Sequence, residues 1–198
     1  MPTGSDGDVD DLPDRYRFRK GWSGTTRLAA SQTLRAAMSA HDGLIAVSEA
    51  AAEALMEIFV ANAASITLMD RVEYRDLVNV GKLDPDMVRF PEGPRYPTSS
   101  YPAATRRLLE LEGYISTDTE LDVVREYLEQ SPYDRPGCFM GVPIVADGEV
   151  RGEVFFLRVP DLPSYTAEDL EVAYDLATQF GAQLPALLAA HAELHPDW

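Results

Sequence analysis

Cysteine is the scarcest chemistry in this chain, with Cys138 alone among 198 residues. A single cysteine excludes an internal disulfide and leaves no thiol pair for a zinc site or a redox couple. Its own reactivity would need a cation or a helix N-terminus to lower its pKa. Only Arg135 is near in sequence, so an inert strand cysteine is the plainer reading. Histidine is nearly as rare, at His41, His191 and His195. The last two have the i, i+4 spacing that chelates a metal on a helix, but no third ligand accompanies them beyond Pro185, and they read as solvated side chains. Basic residues are few: 17 Lys and Arg against 33 Asp and Glu leave a net charge of −16. A field of that sign repels phosphate backbones and anionic lipid surfaces, so neither nucleic acid nor a membrane is expected as a partner. No apolar run reaches the roughly 18 residues of a membrane span, and the acidic N-terminus is unlike a signal peptide, so the expected location is cytoplasmic. A glycine-rich phosphate loop and an activated Ser/His/Asp grouping are also missing.

What is present is ordinary for a globular protein, 45% hydrophobic and 25% charged residues, in a length that suits one domain with extensions. The stretch from Gly137 to Val159 stands out. Two β-rich runs meet at Asp147-Gly148, whose tolerance of positive φ suits the tight turn of a long hairpin. Zero-offset pairing sets Val145 opposite Val150, Pro143 opposite Gly152, Gly141 opposite Val154 and Phe139 opposite Phe156. The other face then carries Cys138, Met140, Val142, Ile144, Phe155, Leu157 and Val159, with Glu149, Arg151 and Glu153 towards the turn. Both faces are apolar away from the tip, as in a central sheet covered on each side. Pro143 lacks a ladder donor and Gly152 a side chain, so a distortion is expected there.

Residues 1–24 read as a flexible tail: Asp6, Asp8, Asp10, Asp11 and Asp14 first, then basic residues among Tyr16, Phe18 and Trp22 in an arm that packs back on the domain. The domain is expected over 25–190, with 191–198 a second tail. Apolar spacing predicts one helix over Thr25–Met38 and another from Leu44 to about Ala61, capped by Asp42. A hairpin follows over Ala64–Asp70 and Glu73–Val80. Residues 81–101 lose all periodicity and read either as a binding loop or as a proline-stiffened connection. Pro102 and Gly113 bracket a short helix, Tyr114–Thr117 is a brief strand, and Thr119 with Asp122 forms a capping box for a helix carrying Leu121, Val124 and Leu128. Thr166 with Asp169 makes a second box, opening a last helix with Leu170, Ala173, Ala177, Phe180 and Leu184 on one stripe, which Pro185 ends or kinks.

This order of elements resembles the GAF domain family over about Leu44 to Leu184. The residues that carry the resemblance are the strand Ala64 to Asp70, the stretch Gly113 to Asp118, the hairpin Gly141 to Phe155, Tyr165 to Leu170, and Leu176 to Ala182. The resemblance implies an α+β sandwich: an antiparallel sheet of five or six strands, the first and last helices on one face, and short helices and loops forming a small-molecule pocket on the other. It also implies homodimerisation through the first and last helices. Subtypes are tested by residue. Haem-binding members need an axial histidine, and all three histidines lie outside the matched stretch. Bilin-binding members use a cysteine in the helical region, whereas Cys138 begins a strand. Members that reduce free methionine sulfoxide use more than one cysteine. The cyclic-nucleotide signature is missing. No cofactor is therefore expected, with haem, bilin and zinc all disfavoured.

An apolar pocket with a few polar handles points to Tyr96, Tyr101, Arg106, Tyr114, Thr117, Asp118, Tyr133, Cys138 and Met140 as ligand-binding candidates. Helical geometry lets only one of Arg106 and Arg107 face the pocket, where it could pair with an anion. The expected function is a small-molecule sensor, without catalysis or an output domain of its own, that signals through contact with a partner protein. Two rivals stand beside it. One is an interaction module whose pocket is filled by its own side chains. The other is an enzyme using Asp118 or Glu120 as acid or base.

Overall fold

A computed structural model of the chain describes residues 21–81, 95–130, 137–158 and 162–195. The acidic segment 1–20, much of the expected loop, Tyr133, Arg135 and Val159 lie outside the described residues.

Helices α1 (Gly24–Ser39) and α2 (Leu44–Ile58) come first, then strands β1 (Ala63–Met69), β2 (Glu73–Gly81) and β3 (Arg95–Pro97). Helix α3 (Pro102–Leu109), strand β4 (Tyr114–Ile115) and helix α4 (Asp122–Gln130) lead into strands β5 (Cys138–Ala146) and β6 (Glu149–Arg158), and helices α5 (Ala167–Gly181) and α6 (Leu184–Leu194) close the chain. All neighbouring strands are antiparallel, in the order β3-β2-β1-β6-β5-β4. This is the expected α+β sandwich, with six strands.

The sheet is held from one side by α1, α2 and α5. Leu34 and Met38 of α1, Leu55 of α2 and Phe180 of α5 are buried in one cluster with Ile66, Val142 and Phe156 of the sheet, α1 packing on α2 and α5. Full burial of each such side chain stabilises by about 1.5–3 kcal/mol. Polar clips fix the helices in register: the Ser31 hydroxyl donates to Gln179 Oε1 at 2.7 Å, and Gln179 Nε2 returns a bond to the Ser31 carbonyl at 3.1 Å. Trp22 packs on Phe59 and donates from Nε1 to Asp169 at 2.9 Å, so the end of the N-terminal arm does fold back on the domain.

Several local expectations change. Gly43, at φ 85°, is the N-cap of α2, and Asp42 makes no side-chain cap. The helix stops earlier than its apolar pattern, with Val60 turned to φ 51°. The end of the 81–101 segment is not loop: β3 pairs with β2, and one 3₁₀ turn, Thr98–Ser100, leads into α3. Leu111, at φ 61°, takes the left-handed position after α3 that Gly113 was expected to fill. The Thr119–Asp122 box does not form. Instead α4 begins at Asp122, whose carboxylate is taken by Arg106 and Arg125. The Thr166–Asp169 box does form. The last helix divides at Ala182–Gln183, and Pro185 sits in the first turn of α6, where its missing N–H costs nothing.

The hairpin register is the correction with most consequence. Asp147 and Gly148 turn at φ 54° and 77°, and Val145 does face Val150. A bulge between Ile144 and Val145 then shifts the ladder, so that Ile144 meets Gly152, Pro143 meets Glu153, Val142 meets Val154 and Phe139 meets Leu157. One extra residue on β6 exchanges the faces of everything beyond it. Val154 and Phe156 join Met140, Val142 and Ile144 under the helices, while Phe155 and Leu157 join Phe139 on the opposite face.

Candidate functional site

That opposite face is covered by α3 and α4 and carries the polar chemistry of the protein. Thr67 on β1 pairs with Asp76 on one side and Glu153 on the other, so three polar side chains cross the sheet in a row. The Thr67 hydroxyl donates to Asp76 Oδ1 at 2.9 Å, and the Tyr96 hydroxyl donates to the same oxygen at 3.3 Å. Burial pushes the half-buried Asp76 carboxyl above its ordinary range, against the pull of these bonds.

Glu153 is deeper, at 6% exposure. Its Oε1 accepts from the Tyr114 hydroxyl, which in turn lies 3.2 Å from the Tyr127 hydroxyl. Burial pushes the Glu153 carboxyl up to about 7, opposed by the Tyr114 bond and reinforced by Asp76. The room for this carboxyl comes from glycine. Gly141 pairs with Tyr114 in β4 and with Phe155 in β6, and a Cβ at this position would run into the Tyr114 ring and Glu153 Oε1.

Aromatic rings surround the pair. Tyr74 stacks on Tyr96 with centroids 5.1 Å apart, Tyr101 stacks on Tyr127 at 5.5 Å, and Tyr127 stacks on Phe155 at 5.3 Å and meets Phe139 at 5.1 Å. Tyr127 is thus the hub joining α4 to the sheet. Tyr74 and Tyr114 are buried, whereas Tyr96, Tyr101 and Tyr127 are half-buried. The roof is tied to itself and to the floor. Glu126 of α4 accepts from the N–H groups of Ala103 and Ala104 at 3.2 Å each, filling donors that α3 leaves open at its start. The Thr105 hydroxyl of α3 lies 2.8 Å from that of Tyr74.

The residues expected from the sequence divide accordingly. Tyr96, Tyr101 and Tyr114 come together here. Tyr133 lies outside the described residues. Arg106 points away, its Nη2 2.8 Å from Asp122 Oδ2 at the surface, and Arg107 is spent on the Gly113 carbonyl and Glu112. Thr117 and Asp118 sit in an exposed turn after β4, as does Glu120. Cys138 and Met140 belong to the helix-covered face, where Cys138 Sγ lies 3.3 Å from Ser164 Oγ. The bulge parts them from Phe155 and Leu157, with which the zero-offset register had grouped them. Asp76 and Glu153 were not expected. The signal for Glu153 was its alternation with Phe155 and Leu157, and for Asp76 its alternation with Tyr74.

A six-stranded antiparallel sheet thus has helices α1, α2 and α5 behind it and a roof of short helices in front. The GAF domain family model matches residues 43–184. The chain belongs to the GAF domain family. GAF domains are small-molecule-binding sensory domains, generally without catalysis. Solved structures agree on the fold. The GAF domain of a phosphoenolpyruvate-protein phosphotransferase from Coxiella burnetii aligns over 86% of this chain and 99% of its own, at 18% identity and a TM-score of 0.64. Its counterpart from Acinetobacter covers 88% and 98%, at 17% identity and a TM-score of 0.60. The phycocyanobilin-bound GAF domain of a cyanobacterial phytochrome covers 83% and 97%, at 11% identity and a TM-score of 0.64. A comparison with curated proteins finds no match. Among the described residues, no group of His, Cys, Asp and Glu is arranged to hold a metal ion, and no helix is long and apolar enough to cross a membrane.

Proposed function

We propose that this GAF domain is a sensory module that binds a small molecule on the α3/α4 face, among Tyr96, Tyr101 and Tyr127, and passes the result to a partner by contact rather than by catalysis. One observation carries the reading: partly exposed tyrosine rings lie over two sheet carboxyls whose burial opposes stability. An apolar substitute would serve packing better than a buried carboxyl, so retaining Glu153 points to a working role. The acidic floor favours a ligand that donates hydrogen bonds over an anion. Pigment attachment through Cys138 at this cluster is disfavoured, because that residue lies on the other face. The proposed route outward is through the helical layer, where the first helix and the last, which the structure divides into α5 and α6, are the expected contacts for a second copy of the chain, in a cytoplasmic setting.

A second reading has its own support. The rings from Tyr74 to Phe155 stack on one another, as they would in an interaction module whose pocket is filled by itself. Native mass spectrometry of freshly purified protein, followed by thermal shifts against a metabolite panel, separates the two. A co-purifying mass, or a raised melting temperature that Tyr101→Ala abolishes, supports the sensor. No mass and no shift across the panel supports the interaction module.

A further inference from the structure

Glu153 is placed where a proton can be felt by a whole layer of the protein. Its carboxyl begins a chain of hydroxyls that runs through Tyr114 of β4 to Tyr127 of α4. A phenol has one hydrogen to give. When Glu153 is ionised, Tyr114 must donate to it, and Tyr127 must then donate to Tyr114. When Glu153 carries a proton it can donate to Tyr114, which is freed to donate to Tyr127. The direction of the chain is therefore set by one proton. From Tyr127 the connection continues along α4 to Glu126, and from Glu126 to the N-terminus of α3.

Among the described residues, the other groups facing Glu153 hold no compensating positive charge. From β2 come Asp76 and Tyr74, from β3 Tyr96, from the turn before α3 Tyr101, from β4 Tyr114 and from α4 Tyr127, while the Glu126 carboxylate is held at the start of α3. β1 offers Thr67, and β5 offers Gly141 and Pro143, none of which titrates. The Glu153 charge raises every one of the five tyrosines, which places them all within its field. An ionised Glu153 thus sits beside a second carboxyl under a roof of rings, and the arrangement relaxes by letting the roof lift so that water reaches the charge.

We propose that Glu153 is a proton-operated latch: protonated, it holds α4 and α3 down on the sheet through Tyr114 and Tyr127, and ionised, it loosens them. The device is independent of which ligand the face takes. Because the carboxyl titrates near neutrality in the folded protein, the latch works in the range where small changes of pH alter its state.

Two measurements on the full chain test it. Carbon-13 NMR of glutamate-labelled protein reads the titration of Glu153 directly, assigned with Glu153→Gln. A midpoint near neutral pH is expected, moving up in Tyr114→Phe, which removes the donor. A midpoint in the ordinary carboxylate range overturns the proposal. Hydrogen exchange, corrected for the intrinsic pH dependence, then reads the roof. Exchange in 122–130 should rise on the order of tenfold from about pH 5.5 to about pH 8.5 in the natural protein and stay level in Glu153→Gln, because opening releases a buried carboxyl. The same rise in both proteins, or a rise that includes α2 and α5 equally, overturns the latch.

Discussion

Replacing Gly141 by alanine tests the geometry of the site with one methyl group. The added Cβ would enter space held by the Tyr114 ring and the Glu153 carboxylate. Neither neighbour has an easy retreat, since Tyr114 is fully buried and Glu153 is 6% exposed. Overpacking of this kind costs about 1–3 kcal/mol. Displacing either group also breaks the bond between them, and a hydrogen bond contributes about 0.5–1.5 kcal/mol. A total near 3 kcal/mol follows, which corresponds to a fall in Tm of about 6–12 °C for a protein of this size. Thermal unfolding followed by circular dichroism measures it. Gly24→Ala is the matched control, because nothing lies within 4 Å of its added Cβ and its φ is ordinary. In a Tyr114→Leu background the Gly141→Ala cost should shrink, as contact residues couple in a double-mutant cycle. Loss of less than about 0.5 kcal/mol in the single variant would refute the reasoning.

Stability should fall as pH rises, and Glu153 is the cause. Its pKa is raised from 4.5 to about 7 on folding, so the folded state holds the proton more tightly; the advantage is full below the unfolded value and is lost as pH climbs through the folded one, about 3 kcal/mol in all. Urea unfolding at several pH values should show this decline in the natural protein and not in Glu153→Gln, which should be the more stable at alkaline pH. Arg158 is buried, donates to the Phe59 and Pro163 carbonyls, and lies 3.8 Å over the Tyr165 ring. Removing it as Arg158→Ala should cost about 3 kcal/mol by the same assay, because the end of α2 loses its cationic cap. Val60→Gly should instead stabilise by about 1 kcal/mol, since a branched residue at φ 51° is strained; a loss of stability would show that packing of the valine outweighs the strain.

The layers of the fold were legible because they rest on periodicity and turn chemistry. The 3.6-residue spacing of Leu44, Val47, Ala51, Leu55 and Ile58, the Asp-Gly turn and the Thr166 box all act locally, and the structure uses each of them. The bulge at Ile144 was only half legible. Pro143 and Gly152 announced a distortion, but whether it adds a residue to one strand depends on how β6 also pairs with β1, where Thr67 must meet Glu153. That is long-range information. The site inherited the consequence, since the one-residue slip sets Met140 and Cys138 on the face opposite Glu153, Phe155 and Leu157 rather than on the same one. The polar residues expected near the loop and the short helix, Arg106, Thr117 and Asp118, serve surface contacts and turns. The buried carboxyls of this face, Asp76 and Glu153, lie instead within strands.

The proposed small molecule would bind between the sheet and the α3/α4 roof. Backbone amide NMR of the labelled protein, recorded against a library of small polar aromatic compounds, tests it most directly. At least one compound is expected to shift the signals of Tyr96, Tyr101, Tyr127 and Glu153 together, with smaller changes in α1 and α6. Compounds that shift only the helix-covered face, or no saturable shift anywhere on the tyrosine face, would contradict it.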